Sequence, residues 1–126
     1  MSRILIVEDN IKLRKRIKEI FLSKFFLCVA EASDERETFL EIKKTAGFFI
    51  IDIRLAGDNG LKLAKKIKMQ YPSIPVVIKT NNDFPEYRNE AAQVGTEVIL
   101  SKKSNTIVVD INLLGLQLNP ARRFNS

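Results

Sequence analysis

Phe48-Phe49-Ile50-Ile51-Asp52-Ile53-Arg54-Leu55-Ala56-Gly57-Asp58-Asn59-Gly60 is the stretch from which the chain is best read. Four apolar residues run into an aspartate, and a glycine-containing loop follows. Residues 48–51 read as a strand apolar on both faces, which belongs in the middle of a parallel sheet covered by helices. Asp52 then falls at the carboxyl end of that strand, where open α/β sheets bind their ligands. Taken alone, Asp52 is equally a turn-initiating Asp, a residue common wherever strands end. A second acidic strand end shifts the balance, because Ile4-Leu5-Ile6-Val7 runs into Glu8-Asp9. Neighbouring parallel strands ending in this way bring their carboxylates together. Like charges that close raise one another's pKa values unless a cation neutralises them. A cluster of carboxylate oxygens suits Mg²⁺, which binds through one or two carboxylates plus waters and phosphate oxygens.

Outward from these two strands the pattern alternates. Strand one is expected over 3–7, and Asn10 is placed to cap a helix over about 11–22 with Leu13, Ile17, Ile20 and Phe21 on its core face. Residues 25–30 read as strand two. Asp34 with Glu37 resembles a capping pair, and the helix it opens runs to about Thr45 with Phe39, Leu40 and Ile42 as its apolar residues. Leu61, Ala64 and Ile67 define a third helix ending near Tyr71-Pro72. Strand four is 76–78, running into Lys79-Thr80. Pro85 suits the first position of a fourth helix, which runs to about Val94 and is stopped by Gly95. Strand five is 98–100, and a last helix lies between Ser104 or Asn105 and Pro120. Five strands alternating with five helices give a doubly wound parallel α/β sheet. No Gly-x-Gly-x-x-Gly follows strand one and no Walker lysine loop is present, which excludes the dinucleotide and nucleotide-hydrolase readings.

With 126 residues, 45% of them hydrophobic, the expectation is one domain over 1–126. No stretch approaches the ~20 apolar residues of a membrane span, and no signal peptide precedes strand one, so a cytoplasmic location is the default. The lone Cys28 agrees with a reducing compartment, and the absence of histidine argues against zinc. The net charge of +6 raises the question of nucleic acid. The basic residues sit at helical intervals, however (Lys12, Lys15, Arg16 and Lys18; Lys62, Lys65, Lys66 and Lys68), without interleaved aromatics for base stacking. They read as solvated faces that attract an acidic protein partner, with Lys12, Lys15 and Arg16 beside the acid site.

Ile6-Val7-Glu8-Asp9-Asn10, the stretch from Asp52 to Leu61, Pro75-Val76-Val77-Ile78-Lys79-Thr80, and Gly95 through Lys102 together resemble the receiver domain of two-component response regulators, along essentially the whole chain. The resemblance implies a flavodoxin-like sheet with strand order 2-1-3-4-5. It also implies that Asp52 is a phosphoacceptor whose carboxylate attacks a phosphohistidine to give an acyl phosphate. Glu8 and Asp9 match the acidic pair that holds Mg²⁺, with Asp52 and the backbone carbonyl of Arg54 completing the protein ligands. Thr80 matches the hydroxyl residue that bonds a phosphoryl oxygen, and Lys102 the lysine that pairs with the acid site. The domain is then not an enzyme in the ordinary sense; it catalyses its own phosphorylation and autodephosphorylation. Its phosphoryl donor is a histidine kinase or a phosphotransfer protein, and no output domain is expected in the chain.

The chain departs from the family pattern at several positions. Lys103 stands in place of the usual proline, Ile99 in place of the switch aromatic, Asn81 in place of a small residue, Ala56 in place of a loop proline, and Lys79 in place of an apolar residue. The missing aromatic and proline favour one alternative, a degenerate receiver acting as a phosphate-independent interaction module, which the complete set of Glu8, Asp9, Asp52, Thr80 and Lys102 opposes. A phosphatase-type hydrolase using Asp52 as nucleophile is the enzyme alternative. Ile107, Val108, Val109, Ile111, Leu113, Leu114, Leu116 and Leu118 are too many for one helical stripe. They suggest a homodimer through helix four, strand five and helix five.

Overall fold

The computed structural model describes residues 3–24, 28–44, 50–56, 59–80 and 85–100. Within them the chain alternates strictly: β1 (Arg3–Glu8), α1 (Ile11–Lys24), β2 (Cys28–Ala32), α2 (Glu35–Lys44), β3 (Ile50–Arg54), α3 (Asn59–Gln70), β4 (Val76–Thr80), α4 (Pro85–Gln93) and β5 (Glu97–Leu100). The strands form one parallel sheet in the order β2-β1-β3-β4-β5. This is the expected flavodoxin-like order. The expected fifth helix, and with it most of the proposed dimer face, lies outside the described residues.

Strand periodicity sorts the side chains into two layers. On one face Leu5, Val7, Ile51, Ile53, Val76 and Ile78 pack with Leu61, Leu63, Ala64 and Ile67 of α3 and with Tyr87 and Ala91 of α4. On the other face Ile4, Ile6, Val29, Ile50 and Val77 pack with Ile17 and Phe21 of α1. The register aligns Glu31, Ile6, Asp52 and Val77 in one row across β2, β1, β3 and β4. Glu8 and Arg54 pair two residues further along. Glu31, Asp52, Glu8 and Arg54 therefore all belong to the face that α1 covers.

Local signals set the helix ends. The Asn10 Oδ1 accepts from the Leu13 N–H at 3.0 Å, an N-cap. Asp34 Oδ1 accepts from the Glu37 N–H at 2.9 Å, while Glu37 reaches back to the Ser33 N–H at 2.7 Å, one residue before the cap. After α4, Gly95 adopts φ +76°, and the N–H groups of Gly95 and Thr96 close onto the carbonyls of Ala92 and Ala91 at 3.0 and 2.9 Å. This is a Schellman closure, and its left-handed residue is the reason a glycine stands there.

Three sequence expectations are corrected. β3 does not end at Asp52 but runs on through Arg54, with all five residues buried. Pairing with β1 carries it past the end of the apolar run. On α1, Leu13 is 38% exposed and lies off the core face, which Ile17 and Phe21 fill. On α2, Leu40 is 42% exposed, and the buried positions are Thr38 and Ile42. Thr38 tolerates burial because its hydroxyl donates to the Asp34 carbonyl at 2.7 Å.

Candidate functional site

Asp52 sits in the middle of the central strand and is 1% exposed. An ionised carboxylate in such a place requires a counter-charge or hydrogen bonds. Arg54, two residues on along the same strand, supplies one. Residues i and i+2 of a strand share a face, and the guanidinium folds back so that Nε donates to Asp52 Oδ2 at 2.8 Å. Nη2 lies 2.8 Å from the same oxygen. Arg54 is itself buried, with its guanidinium carbon 6.0 Å from the centre of the Phe21 ring.

Glu8 ends β1 beside Arg54 and is also buried. Burial raises its carboxyl pKa. The Asn10 backbone N–H, donating to Glu8 Oε2 at 3.0 Å, opposes the rise. The adjacent Asp9 carboxylate adds to it and the Arg54 guanidinium offsets part of it, and the net pKa is pushed up to about 7. Asp9 is exposed at the start of the loop. It borders a cleft at the carboxyl ends of the strands, lined also by Ser33, Asp34, Leu55 and Lys62. Thr80 is the last residue of β4, next to β3, and is buried. Lys102 lies outside the described residues.

A second polar cluster holds the β1 end in place. Arg14 of α1 donates through Nη1 to the Glu8 carbonyl at 2.8 Å and through Nε to Glu31 Oε1 at 3.1 Å. Lys15 and Lys18 reach Glu31 Oε2 at 2.9 and 3.2 Å. Burial pushes the Glu31 pKa up, but the hydrogen bonds from Lys15, Lys18 and Arg14 outweigh it and leave the carboxyl below its usual range. The helical lysines are thus more than a solvated face. Lys15 and Lys18 tie α1 to β2, Lys66 meets Glu35 and Lys65 meets Glu90, both at 3.0 Å. Lys12 and Arg16 are exposed.

Of the expected site residues, Glu8 and Thr80 end β1 and β4, Asp9 follows β1, and Asp52 lies mid-strand on β3 between those two strands. The family resemblance points to Arg54 only through its backbone carbonyl. Its side chain carries no local signal: hydrogen bonding to β1 extends β3 three residues past its apolar run and so puts Arg54 on the face of Asp52. Arg14 was missed as well, since nothing local distinguishes it from the other cations of α1.

The donor chemistry fits Mg²⁺, with hard carboxylate oxygens on two paired strands. Among the described residues, however, no three acidic side chains converge closely enough to hold a metal, and the cation on Asp52 is Arg54. Also among the described residues, no helix is long and apolar enough to cross a membrane.

The family model of the response regulator receiver domain matches residues 4–113. Response regulator RppA of Synechocystis is 34% identical over 103 residues, covering 79% of this chain and 44% of that protein. The aerobic respiration control protein ArcA of Escherichia coli is 30% identical over 120 residues, covering 92% of this chain and 50% of that protein. The chain thus spans about half the length of these curated relatives. Among solved structures, the orphan response regulator HP1043 of H. pylori superposes with a TM-score of 0.79 at 19% identity, covering 94% of this chain and 97% of that one. Chemotaxis response regulator CheY4 of Vibrio cholerae does so with a TM-score of 0.74 at 21% identity, covering 92% and 99%. At such identities the two structures speak to the fold alone.

Proposed function

The chain belongs to the response regulator receiver domain family, and from that premise we propose that Asp52 is its phosphoacceptor. Receiver domains of two-component systems are phosphoacceptor signalling domains rather than conventional enzymes. The observation that carries the assignment to Asp52 is its burial in the middle of the central strand, one strand from the acidic pair Glu8-Asp9. No stability argument calls for a carboxylate there, since a hydrophobic residue would pack the position at no desolvation cost.

In this reading one Asp52 oxygen attacks the phosphorus of a phosphohistidine. A P–O bond forms, the P–N bond breaks, and the imidazole leaves. Glu8, Asp9, Asp52 and the Arg54 carbonyl would hold Mg²⁺, which when bound neutralises charge on the phosphoryl group. Thr80 donates its hydroxyl to a phosphoryl oxygen, and Lys102 supplies a point charge. Residues 1–126 act as one cytoplasmic receiver unit. The donor is a histidine kinase or phosphotransfer protein that approaches the exposed Lys12 and Arg16, and the output is changed protein contact, including a homodimer through α4, β5 and the segment after them. Direct nucleic-acid binding forms no part of this reading.

A second reading, a phosphate-independent interaction module, is favoured by one observation. Arg54 already neutralises Asp52 without any phosphoryl group. Mass measurement after incubation with acetyl phosphate and Mg²⁺ separates the two. The phosphoacceptor reading expects a gain of one phosphoryl group in the parent and none in Asp52→Asn. An unchanged parent mass, or an equal gain in the variant, rejects it.

A further inference from the structure

We infer that Arg54 is the resident counter-ion of the acid site and that Mg²⁺ must displace its guanidinium from Asp52 before the site is loaded. The inference rests on the phosphoacceptor reading and on the geometry around Asp52. A carboxylate has two oxygens, and the proposed reaction uses both, one to attack phosphorus and one to touch the metal. Arg54 holds Oδ2 through a hydrogen bond from Nε at 2.8 Å, with Nη2 in ion-pair contact at 2.8 Å.

The hold is not an incidental surface contact. An arginine at a strand end ordinarily extends its head into water. Here the guanidinium is turned back along the strand, 6% exposed, against a carboxylate 2% exposed. The Phe21 ring lies 6.0 Å from its central carbon. The position is also consistent with a structural device. β3 is extended past its apolar run by pairing with β1, which places Arg54 on the α1 face beside Glu8. A loop at the same sequence position would leave the side chain free to point anywhere.

The consequence is a site that stays closed at low Mg²⁺ and opens as the metal competes. A nearby opposite charge alters a carboxylate's affinity for a proton by roughly one to three decades, and a competing metal cation feels the same field. Removing the guanidinium should therefore tighten Mg²⁺ binding by about tenfold or more.

The test is calorimetric titration of the full chain and of Arg54→Gln with MgCl₂, paired with ¹H–¹⁵N spectra of the parent that follow the Arg54 Nε–Hε signal. Arg54→Lys assigns that signal by its disappearance. Tighter binding by Arg54→Gln, together with a metal-dependent shift of the parent's Nε–Hε signal, supports the displacement. Should Arg54→Gln fail to fold, the parent's Nε–Hε signal decides alone: a shift that saturates with Mg²⁺ supports displacement, and a fixed signal in protein that binds Mg²⁺ overturns it. Equal or weaker binding by a folded Arg54→Gln also overturns it while leaving the phosphoacceptor reading intact, since the metal then uses Oδ1 with Arg54 in place. Absence of Mg²⁺ binding in both proteins overturns the inference and the metal-dependent reading of the site together.

Discussion

Replacing Glu31 by Gln should loosen the acid site from a distance of one strand, through charge alone. Glu31 accepts from Arg14, Lys15 and Lys18, and its side chain is 14% exposed. The Arg14 partner is 11% exposed, so this bond is a half-buried, charge-assisted one, for which about 1.5 kcal/mol is a conservative value. Lys15 is 56% exposed and Lys18 35%, so solvent screens both. Together they contribute about 0.5 kcal/mol. The expected loss at neutral pH is therefore about 2 kcal/mol, or about 1 M in the urea midpoint for a domain with a slope near 2 kcal/mol/M.

The same substitution removes the anchor that holds Arg14 against the Glu8 carbonyl. Amide exchange at Asp9 and Asn10 should accelerate with it. The pH dependence follows from the Glu31 pKa, which lies below its reference value of 4.5 in the folded protein. The carboxylate's contribution is fully present above 4.5 and disappears as pH falls through the lower, folded value. Urea titrations of parent and Glu31→Gln, stepped downward from pH 7, should therefore converge at acid pH. A gap that persists undiminished there, or one below about 0.5 kcal/mol at neutral pH, would refute the reasoning.

Three further perturbations test the frame around the site. Asn10→Ala removes the cap on the Leu13 N–H and should cost about 1 kcal/mol, read as a lower urea midpoint with an unchanged slope. Gly95→Ala forces a Cβ onto a residue at φ +76°, and the thermal midpoint should fall by an amount matching roughly 1 kcal/mol; an unchanged midpoint would mean that the turn relaxes. Phe21→Ala empties a fully buried position under the Arg54 guanidinium and should cost about 3–5 kcal/mol, measured by denaturant unfolding against Phe21→Leu, which should retain most of the stability.

Much of this protein was determined by its sequence. The alternation of apolar runs with helical periodicities specified a parallel doubly wound sheet. The caps at Asn10, Asp34 and Gly95 were legible because each depends only on residues two to five apart. The acidic positions were legible for the same reason: Asp52 and the pair Glu8-Asp9 each follow an unbroken apolar run. Tertiary structure decided the electrostatics. Arg14, Lys15 and Lys18 look alike on a helical wheel, and only the row of Glu31 on β2 beneath α1 makes them partners of one carboxylate. Glu8 acquires a pKa near 7 only because the folded chain buries it next to Asp9. Arg54 became the cation on Asp52 because hydrogen bonding to β1 prolonged β3 beyond the point where hydrophobicity stops. Periodicity is written along the chain, but the depth of burial and the identity of a charge's nearest neighbour are set by strands and helices that meet only on folding.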